Sequence, residues 1–298
     1  MVDGILIIDK PAGLTSHDVV SRVRRILKTK RVGHTGTLDP FATGVLVLLI
    51  GKATRLAQFL DKDEKEYEAV VRFGFETDTG DRTGERKNEI FGEDIPRRLA
   101  SVDWEKTFTG FRGQIEQIPP MYSAKKQDGK KLYELARKGI EIERKAVRIN
   151  INELDILRKP ESGSDTAIIR VVCSAGTYIR TLAEEIGRSI GTGAHLQELR
   201  RIRAGRFDIK RAKTLDQLSE TEQPENALAP VEEAISHLPK FVLEEDRIAK
   251  TQSGLATRIM GHELAEGEPL AMVNNAGELI AIGIFDAGES CMQPKIVL

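Results

Sequence analysis

Hydrophobic residues along the chain form short runs and alternating stretches that predict β-strands, and a few other segments show a helical period. We expect strands at 4–10, 45–50, 67–75, 167–173 and 206–209. Apolar residues recur at helical spacing in a segment that opens after Thr15, and residues 53–59 and 177–190 predict two more helices. Strands and helices follow one another without a strict βαβ order, so the pattern predicts an α+β fold.

The C-terminal part of the chain has a pattern of its own. Residues 217–229 are acidic and polar and contain Pro224, which is typical of a linker. From Leu238 onwards, short apolar runs are separated by Asn-Asn-Ala-Gly and Asp-Ala-Gly turns, which predict a small β-rich domain. We therefore expect a first domain over 1–213, a linker over 214–237 and a second domain over 238–298.

The net charge of −1 conceals an asymmetry between the two parts. Residues 1–213 hold 40 basic and 31 acidic side chains, whereas residues 214–298 hold 5 basic and 15 acidic ones. Basic residues are concentrated at 122–148, with nine basic and four acidic, and at 197–213, with seven basic and two acidic. A basic body with an acidic appendage is typical of a protein whose larger part faces nucleic acid.

Other classes of protein lack support in the sequence. The longest apolar run, 45–50, is far shorter than the roughly 20 residues of a membrane helix. The N-terminus has no signal-peptide pattern, so we expect a cytoplasmic protein with no membrane partner. Cys173 and Cys291 are far apart, and the five histidines show no metal-ligand spacing. We expect neither a disulfide nor a metal site, which argues against a metal-dependent hydrolase.

The segment 33–44 carries the clearest candidate chemistry. Its three glycines allow unusual backbone angles and a close approach of a ligand, and Pro40 favours an extended conformation at Asp39. A carboxylate is thereby held on a constrained loop. An Asp-Pro pair can also simply begin a turn, and the segment matches neither phosphate-binding glycine motif, so a nucleotide site is not expected.

Five motifs carry a resemblance to a known family. The segment from His34 to Leu46, with His-Thr-Gly-Thr-Leu-Asp-Pro and Ala-Thr-Gly-Val-Leu, resembles the signature of the TruB family of tRNA pseudouridine synthases. Four further stretches resemble motifs of this family in the family's order: 9–16, 65–67, 117–124 and 174–182. Together the motifs span most of residues 4–210. The resemblance implies a pseudouridine synthase domain with a central mixed or antiparallel sheet.

The resemblance also implies a reaction: isomerisation of uridine 55 in the T-loop of tRNA to pseudouridine, without cofactor or metal. Asp39 corresponds to the catalytic carboxylate, which in the family either attacks C1′ or promotes a glycal intermediate. Cleavage of the glycosidic bond builds positive charge on the sugar, which an ionised carboxylate stabilises. Arg180 matches the arginine that pairs with this aspartate. Tyr67 matches the tyrosine that stacks on the uracil and is the candidate for handling the C5 proton.

Further residues take their expected roles from the same resemblance. Tyr178 and Leu199 match positions in the pocket wall, and Lys10 matches a position that supports the catalytic loop. His34 matches the histidine that fills the space left by the extruded base, since the target atoms are inaccessible in a structured loop. An insertion at about 119–150 is expected to grip the T-arm, with phosphates bound by four lysines: Lys125, Lys126, Lys130 and Lys131.

The C-terminal domain resembles a PUA-type RNA-binding domain less specifically, and its acidity departs from that type. The resemblance implies a monomer that acts on tRNA without an obligate protein partner. Two alternatives stay open at this point: a guide-RNA-dependent pseudouridine synthase, and a non-catalytic RNA-binding or RNA-folding protein. The second is disfavoured because binding needs cations and aromatic rings but no buried carboxylate.

Overall fold

The computed structural model of the protein describes residues 2–60, 63–89, 94–123, 125–127, 129–136, 138–140, 142–259 and 264–298. The α-helices in these ranges are α1 (Ser16–Ile26), α2 (Ala57–Leu60), α3 (Ile95–Ala100), α4 (Trp104–Thr109), α5 (Leu132–Ala136), α6 (Ile179–Ser189), α7 (Leu215–Glu220) and α8 (Glu245–Gln252). Short 3-10 helices cover Gly51–Leu56, Ile209–Arg211, Pro224–Ala227 and Val231–Ile235.

The strands divide between the two parts of the chain. The first part contains β1 (Gly4–Lys10), β2 (Val32–Thr35), β3 (Thr43–Ile50), β4 (Lys65–Phe73), β5 (Phe75–Thr77), β6 (Arg86–Glu89), β7 (Gly113–Gln117), β8 (Lys126–Gln127), β9 (Lys130–Lys131), β10 (Val147–Arg158), β11 (Thr166–Cys173), β12 (Ala194–Ala204) and β13 (Phe207–Asp208). The second contains β14 (Lys240–Val242), β15 (Thr257–Arg258), β16 (Pro269–Val273), β17 (Leu279–Asp286) and β18 (Cys291–Val297).

A nine-stranded sheet forms the centre of the first part. Its order is β1-β3-β12-β4-β11-β10-β7, with β2 paired to β3 and β13 paired to β12. Among the described pairings of this sheet, β3 with β12 is parallel and the others are antiparallel. The predicted α+β class with a central mixed sheet is confirmed. Because β12 lies between β3 and β4, Gly44 at the end of the 33–44 segment is brought opposite Arg201.

One face of this sheet is apolar and packs against α6. Tyr67, Ala69 and Val71 alternate inward along β4 and belong to one buried cluster with Leu182 and Ile186 of α6. Burying each large apolar side chain contributes about 1.5–3 kcal/mol. This packing holds α6 against the sheet that carries Tyr67.

Local sequence determines the ends of the two longest helices. Thr15 and Asp18 form a capping box, in which the Thr15 hydroxyl accepts from the Asp18 amide at 3.1 Å and the Asp18 carboxylate accepts from the Thr15 amide at 2.9 Å. Gly191, with φ of +71°, follows the end of α6 in a conformation that favours glycine. The helices predicted after Thr15 and within 177–190 are therefore confirmed.

Residues 214–237, which the sequence predicts as a linker, pack against the first part of the chain. Leu215 and Leu218 of α7 are buried in a cluster with α1, and Ile235 is fully buried. The backbones of Ile5 and Ala229 exchange hydrogen bonds of 2.9 and 2.8 Å. The segment is acidic on average, but its few apolar residues fall where they can pack, and an average over composition does not reveal such placement.

The C-terminal part forms a five-stranded sheet in the order β14-β16-β17-β18-β15. Its apolar residues Val273 and Ile282 share a buried cluster with Ile5 and Val47 of β1 and β3. The expected boundaries at 213 and 238 stay predictions. Across the described part of the chain, the helices are too short or too polar to cross a membrane.

Candidate active site

The loop between β2 and β3 contacts the end of β1 and the segment that follows β1. The Lys10 ammonium, which is fully buried, donates to the carbonyls of Pro11 at 2.9 Å, Leu14 at 2.6 Å and Pro40 at 3.3 Å. Burial lowers the pKa of Lys10 to about 8. Lys10 therefore binds the loop backbone beside Asp39, and its role in supporting the loop stays a prediction.

Two further hydrogen bonds and the backbone conformation of one glycine constrain this loop. The Ser16 hydroxyl accepts from the Leu38 amide at 3.0 Å, and the Gly13 amide donates to the Pro40 carbonyl at 2.7 Å. Gly44 has a φ of +99°, and a Cβ placed on it would lie 2.2 Å from the carbonyl oxygen of Arg201. Only glycine fits at this position, because β12 runs directly beside it.

Asp39 and Arg180 form a bidentate ion pair. The Arg180 guanidinium places Nε 3.0 Å from Oδ2 and Nη2 3.2 Å from Oδ1 of Asp39. Arg180 lies in the first turn of α6 and is 5% exposed. It also donates to the backbone carbonyls of Thr79 at 2.9 Å and Tyr122 at 2.7 Å. These bonds fix the plane of the guanidinium, so that it matches the carboxylate in two places.

A second carboxylate, which the sequence reasoning missed, lies beside Arg180. Asp81 is buried, and its Oδ2 is 3.7 Å from Arg180 Nη1. Its other oxygen accepts from the Thr83 amide at 2.9 Å and from the Thr79 hydroxyl at 3.1 Å. The polar stretch 76–86 predicts a loop and gives no local sign that one of its carboxylates is buried beside an arginine.

Opposing effects act on the pKa of Asp39. Burial raises its pKa above the ordinary value, Arg180 acts in the opposite direction, and the charge of Asp81 adds to the rise. One third of the Asp39 side chain is exposed, and that part faces a cavity. The carboxylate is thus paired on one side and open to a ligand on the other.

Tyr67 is linked to the loop between β2 and β3, which carries Asp39, through a buried arginine. Arg201, which is 1% exposed, donates from Nε to the Val45 carbonyl at 2.7 Å and from Nη2 to the Gly36 carbonyl at 2.9 Å. Burial raises the pKa of the Tyr67 hydroxyl, and the charge of Arg201 and its hydrogen bond to Tyr67 lower it. The alternation of side chains along β12 could have indicated Arg201 from the sequence. Leu199, which is predicted in the pocket wall, and Arg201 are two positions apart and share a face of the strand.

The helix start at Tyr178 is held by a side chain from β7. Gln117 is fully buried, accepts from the Tyr178 amide at 2.8 Å and donates to the Tyr178 carbonyl at 3.1 Å. The amide side chain therefore substitutes for a missing cap at the start of α6. It places Tyr178 and Arg180 at the same cavity.

This cavity has a volume of about 230 Å³. Five of the seven predicted site residues line it, namely Asp39, Tyr67, Tyr178, Arg180 and Leu199. Residues that the sequence reasoning did not select complete the wall: Gly36, Thr37, Leu38, Lys65, Ser123, Ser174, Ala175, Gly176, Thr177, Ile179 and Arg201. A groove of about 660 Å³ adjoins it and shares Asp39, Ser123 and Arg180 with it.

Lys10 and His34 lie outside the cavity wall. His34 on β2 contacts His17 edge to face, with ring centroids 5.6 Å apart, and His17 lines the adjoining groove. Burial, followed by the charges of His17 and Arg201, lowers the pKa of His34. Its Nδ1 is buried and has no hydrogen-bond partner among the described residues. His34 is therefore a neutral ring beside the groove and the loop.

Several arginines of the basic stretch 197–213 are buried or pair with acidic residues of the protein itself. Arg200 pairs with Asp9 at 2.7 Å, and Arg203 pairs with Glu64 at 2.8 Å and Glu66 at 3.1 Å. Together with the buried Arg201, these residues account for the arginines of β12. Asp9 is on β1, Glu66 is on β4 and Glu64 directly precedes β4, so charge density along the chain overstates the surface that this stretch offers to RNA.

The insertion at about 119–150 contains the β8–β9 hairpin and α5. Lys125 is exposed. The side chains of Lys126, Lys130 and Lys131 lie outside the described residues, so phosphate binding by this group stays a prediction. Over the described ranges, no three His, Cys, Asp or Glu side chains are grouped to hold a metal ion.

Comparisons with known proteins identify the family. Residues 24–179 match the family model described as TruB family pseudouridylate synthase (N terminal domain). The chain belongs to the TruB family. Residues 180–236 match a second TruB model, the tRNA pseudouridylate synthase B C-terminal domain.

Curated TruB relatives extend over the whole chain. The tRNA pseudouridine synthase B of Bacillus subtilis (strain 168) is 40% identical, and the match covers 100% of this chain and 98% of that protein. The protein of the same name from Solibacter usitatus is 43% identical, with 95% of each chain covered. These matches agree with the family expected from the five motifs.

Solved structures share the TruB fold. The structure of an H/ACA RNP bound to a substrate RNA containing 2′-deoxyuridine matches with a TM-score of 0.70 and 27% identity, covering 99% of this chain and 84% of that chain. A Cbf5-Nop10-Gar1 complex matches with a TM-score of 0.70 and 30% identity, covering 95% of this chain and 78% of that chain. This TruB chain therefore shares its fold with proteins that are found in RNA-protein complexes.

Proposed function

We propose that this protein isomerises uridine 55 in the T-loop of tRNA to pseudouridine. The observation that carries the proposal is the bidentate Asp39–Arg180 pair, which opens on a cavity that also contains Tyr67. The relatives named tRNA pseudouridine synthase B, at 40% and 43% identity, support tRNA as the substrate.

Asp39 acts at the sugar of the target nucleotide. Glycosidic cleavage gives C1′ positive charge, and an ionised carboxylate beside it either attacks C1′ or stabilises the charge while a glycal forms. Arg180 favours the ionised form of Asp39 and holds its oxygens in a fixed plane. The fixed pair avoids reorganisation at the moment of bond cleavage.

Tyr67 acts at the base. Its ring, in the cavity wall, stacks on the uracil, and its hydroxyl handles the proton that leaves C5 after the new C–C bond forms. Because burial raises the pKa of this hydroxyl, Tyr67 is protonated at rest. It therefore relays a proton: it donates its own proton to the uracil ring, whose N1 has lost its bond to C1′, and the resulting phenolate takes the proton from C5. The hydrogen bond from Arg201 stabilises the transient negative charge on the Tyr67 oxygen during proton transfer.

The two concave regions suit an extruded nucleotide. The 230 Å³ cavity has room for one nucleoside, and the adjoining 660 Å³ groove has room for the neighbouring chain. His34, which contacts His17 beside the groove, fills the space that the base leaves. Lys10 holds the loop backbone at Pro40 and does not act on the substrate.

Binding of the T-arm by the insertion at about 119–150 depends on its lysines and weakens as salt rises. We further propose that the protein acts as a monomer, in the cytoplasm and without an obligate protein partner. A guide-RNA-dependent enzyme is the second candidate, because the solved neighbours include an H/ACA RNP. The higher identity to the tRNA pseudouridine synthase B relatives favours the first.

The test is tritium release from a tRNA transcript that carries [5-³H]uridine, with purified protein and nothing added. We expect release by the wild type, none by Asp39→Asn, and none at this site when uridine 55 is replaced by cytidine. Release that starts only after a guide RNA is added would favour the second candidate. Binding without release in both cases would indicate a non-catalytic RNA-binding protein.

A further inference from the structure

Ser123 carries a buried hydroxyl that the described part of the chain leaves without a hydrogen-bond partner. The residue is 5% exposed, and its Oγ has no hydrogen-bond partner among the described residues. Buried hydroxyls in native proteins have a partner as a rule, and an exception at a cavity indicates a group that arrives with a ligand. Ser123 lines both the catalytic cavity and the adjoining groove.

The backbone around Ser123 is tied to the catalytic pair. The carbonyl of the preceding residue, Tyr122, accepts from Arg180 Nη2 at 2.7 Å, and the Ser123 amide donates to the Met121 carbonyl at 3.0 Å. The carbonyl group that accepts from Arg180 is thus bonded directly to the Ser123 nitrogen, and Arg180 itself holds Asp39. A ligand atom that reaches Ser123 is therefore close to the atom on which Asp39 acts.

The charges around Ser123 disfavour a phosphate as the ligand group that reaches it. Asp39 and Asp81 both flank Arg180, and that one guanidinium offsets only one of their two negative charges. The other groups around the groove include neutral hydroxyls, such as those of Thr79 and Thr83. A phosphate placed here would be repelled by the two carboxylates. A neutral polar group fits, and a hydroxyl of the ligand can both donate to and accept from Ser123.

The following step rests on the proposed function, in which Asp39 acts at C1′ of the target nucleotide. The uracil rotates during the isomerisation, so a bond from a fixed side chain to the base edge would not persist through the reaction. The sugar stays in place. Its hydroxyl nearest to C1′ is the 2′-hydroxyl, the group that distinguishes RNA from DNA.

We propose that Ser123 recognises the ribose 2′-hydroxyl of the target nucleotide and makes the site selective for RNA over DNA. Ser123 is then a specificity-determining residue. Its hydroxyl is satisfied when the nucleotide enters, and a 2′-deoxynucleotide leaves it buried and unpaired.

The experiment is a double-mutant cycle between the Ser123 hydroxyl and the 2′-hydroxyl. The dissociation constants of two T-arm RNAs, with uridine or 2′-deoxyuridine at the target position, are measured for Asp39→Asn and for Asp39→Asn combined with Ser123→Ala. The Asp39→Asn background prevents turnover. Wild-type tritium release from the uridine arm is measured separately, so that failure of the proposed function is recognised by itself.

We expect Asp39→Asn to bind the uridine arm about 2- to 12-fold more tightly than the deoxyuridine arm, the range of one net hydrogen bond. Adding Ser123→Ala should remove this preference and leave the affinity for the deoxyuridine arm unchanged, which also shows that the variant is folded. Ser16→Ala is the matched control, since this buried groove serine already accepts from Leu38. It should affect both arms equally.

Two results would overturn the proposal. If Ser123→Ala weakens both arms by the same factor, the hydroxyl has another partner. If Ser123→Ala changes neither arm and the preference for uridine persists, another residue reads the 2′-hydroxyl. In either case, tritium release by the wild type would leave the proposed function standing.

Discussion

Asp39 and Arg180, which are 141 residues apart in the chain, meet through an ion-pair contact of 3.0 Å from Nε and a hydrogen bond of 3.2 Å from Nη2. Asp39 comes from a loop held by Lys10 and Ser16, and Arg180 comes from the first turn of a helix packed on the sheet. The pair therefore joins the two halves of the site. The geometry is specific to a planar guanidinium.

Replacement of Arg180 by lysine should lower activity on the order of 10²-fold, because an ammonium cannot form both bonds. The loss should grow as the pH falls. Asp39 must be ionised, its pKa is raised by burial, and Arg180 opposes that rise. A weaker cation moves the acid limb of the pH–rate profile to higher pH.

Arg188→Lys is the matched control for this profile. Arg188 lies on the same helix and forms two bonds with Glu76, of 2.6 and 2.7 Å, away from the cavity. It should leave the rate and its pH dependence nearly unchanged. Acid limbs at the same pH for wild type and Arg180→Lys would show that Arg180 does not govern the ionisation of Asp39.

Tyr67→Phe should separate binding from proton transfer. The ring that stacks on the base remains, so T-arm affinity should change little, whereas tritium release should fall by about 10²- to 10⁴-fold. The free energy of unfolding should decrease by about 1–3 kcal/mol, since buried Arg201 loses a partner. Filter binding, tritium release and urea unfolding measure the three quantities. Substantial release by Tyr67→Phe would assign the C5 proton to another group.

Lys10 should make stability depend on pH in the alkaline range. Its pKa is about 8 in the folded protein, against an ordinary value of 10.5 for a solvated lysine. The unfolded chain therefore holds the proton more tightly, and this group's contribution to the free energy of unfolding rises as the pH increases from 8 to 10.5. The rise is on the order of 3 kcal/mol.

Urea unfolding of wild type and Lys10→Met at pH 7, 9 and 10 measures this contribution as a difference between the two proteins. The difference should be constant below pH 8 and should increase in favour of the wild type above it. A difference that is the same at all three pH values would mean that Lys10 keeps its ordinary pKa.

Gly44→Ala should be among the most destabilising small substitutions in the loop region. Its Cβ would lie 2.2 Å from the Arg201 carbonyl, at a φ of +99°. Gly13→Ala is the control, since Gly13 has a φ of +85° and open space around it. We expect Gly13→Ala to cost about 1–2 kcal/mol, and Gly44→Ala to cost clearly more. Thermal unfolding gives both values, and equal costs would contradict the close approach of β12.

The sequence by itself predicted the family and several of the elements, but not the long strands β10 and β12 of the central sheet. The Thr15–Asp18 capping box, the glycine after α6 and the apolar run of β3 are local features, and local backbone preference and period determine them. The five motifs likewise lie in continuous segments. They brought Asp39, Tyr67, Arg180 and Tyr178 together as an expectation, to which a separate local match added Leu199, and the structure places all five at one cavity.

The tertiary structure alone decided which partner each charge and hydroxyl has. Arg201 is buried beside Tyr67, and Arg200 and Arg203 pair with acids far away in the chain. Ser123 lines the cavity with a hydroxyl that has no partner among the described residues. Residues 214–237 pack on β1 although their composition is that of a linker. These contacts join residues far apart in the chain, and the register of the sheet, which no single segment encodes, selects them.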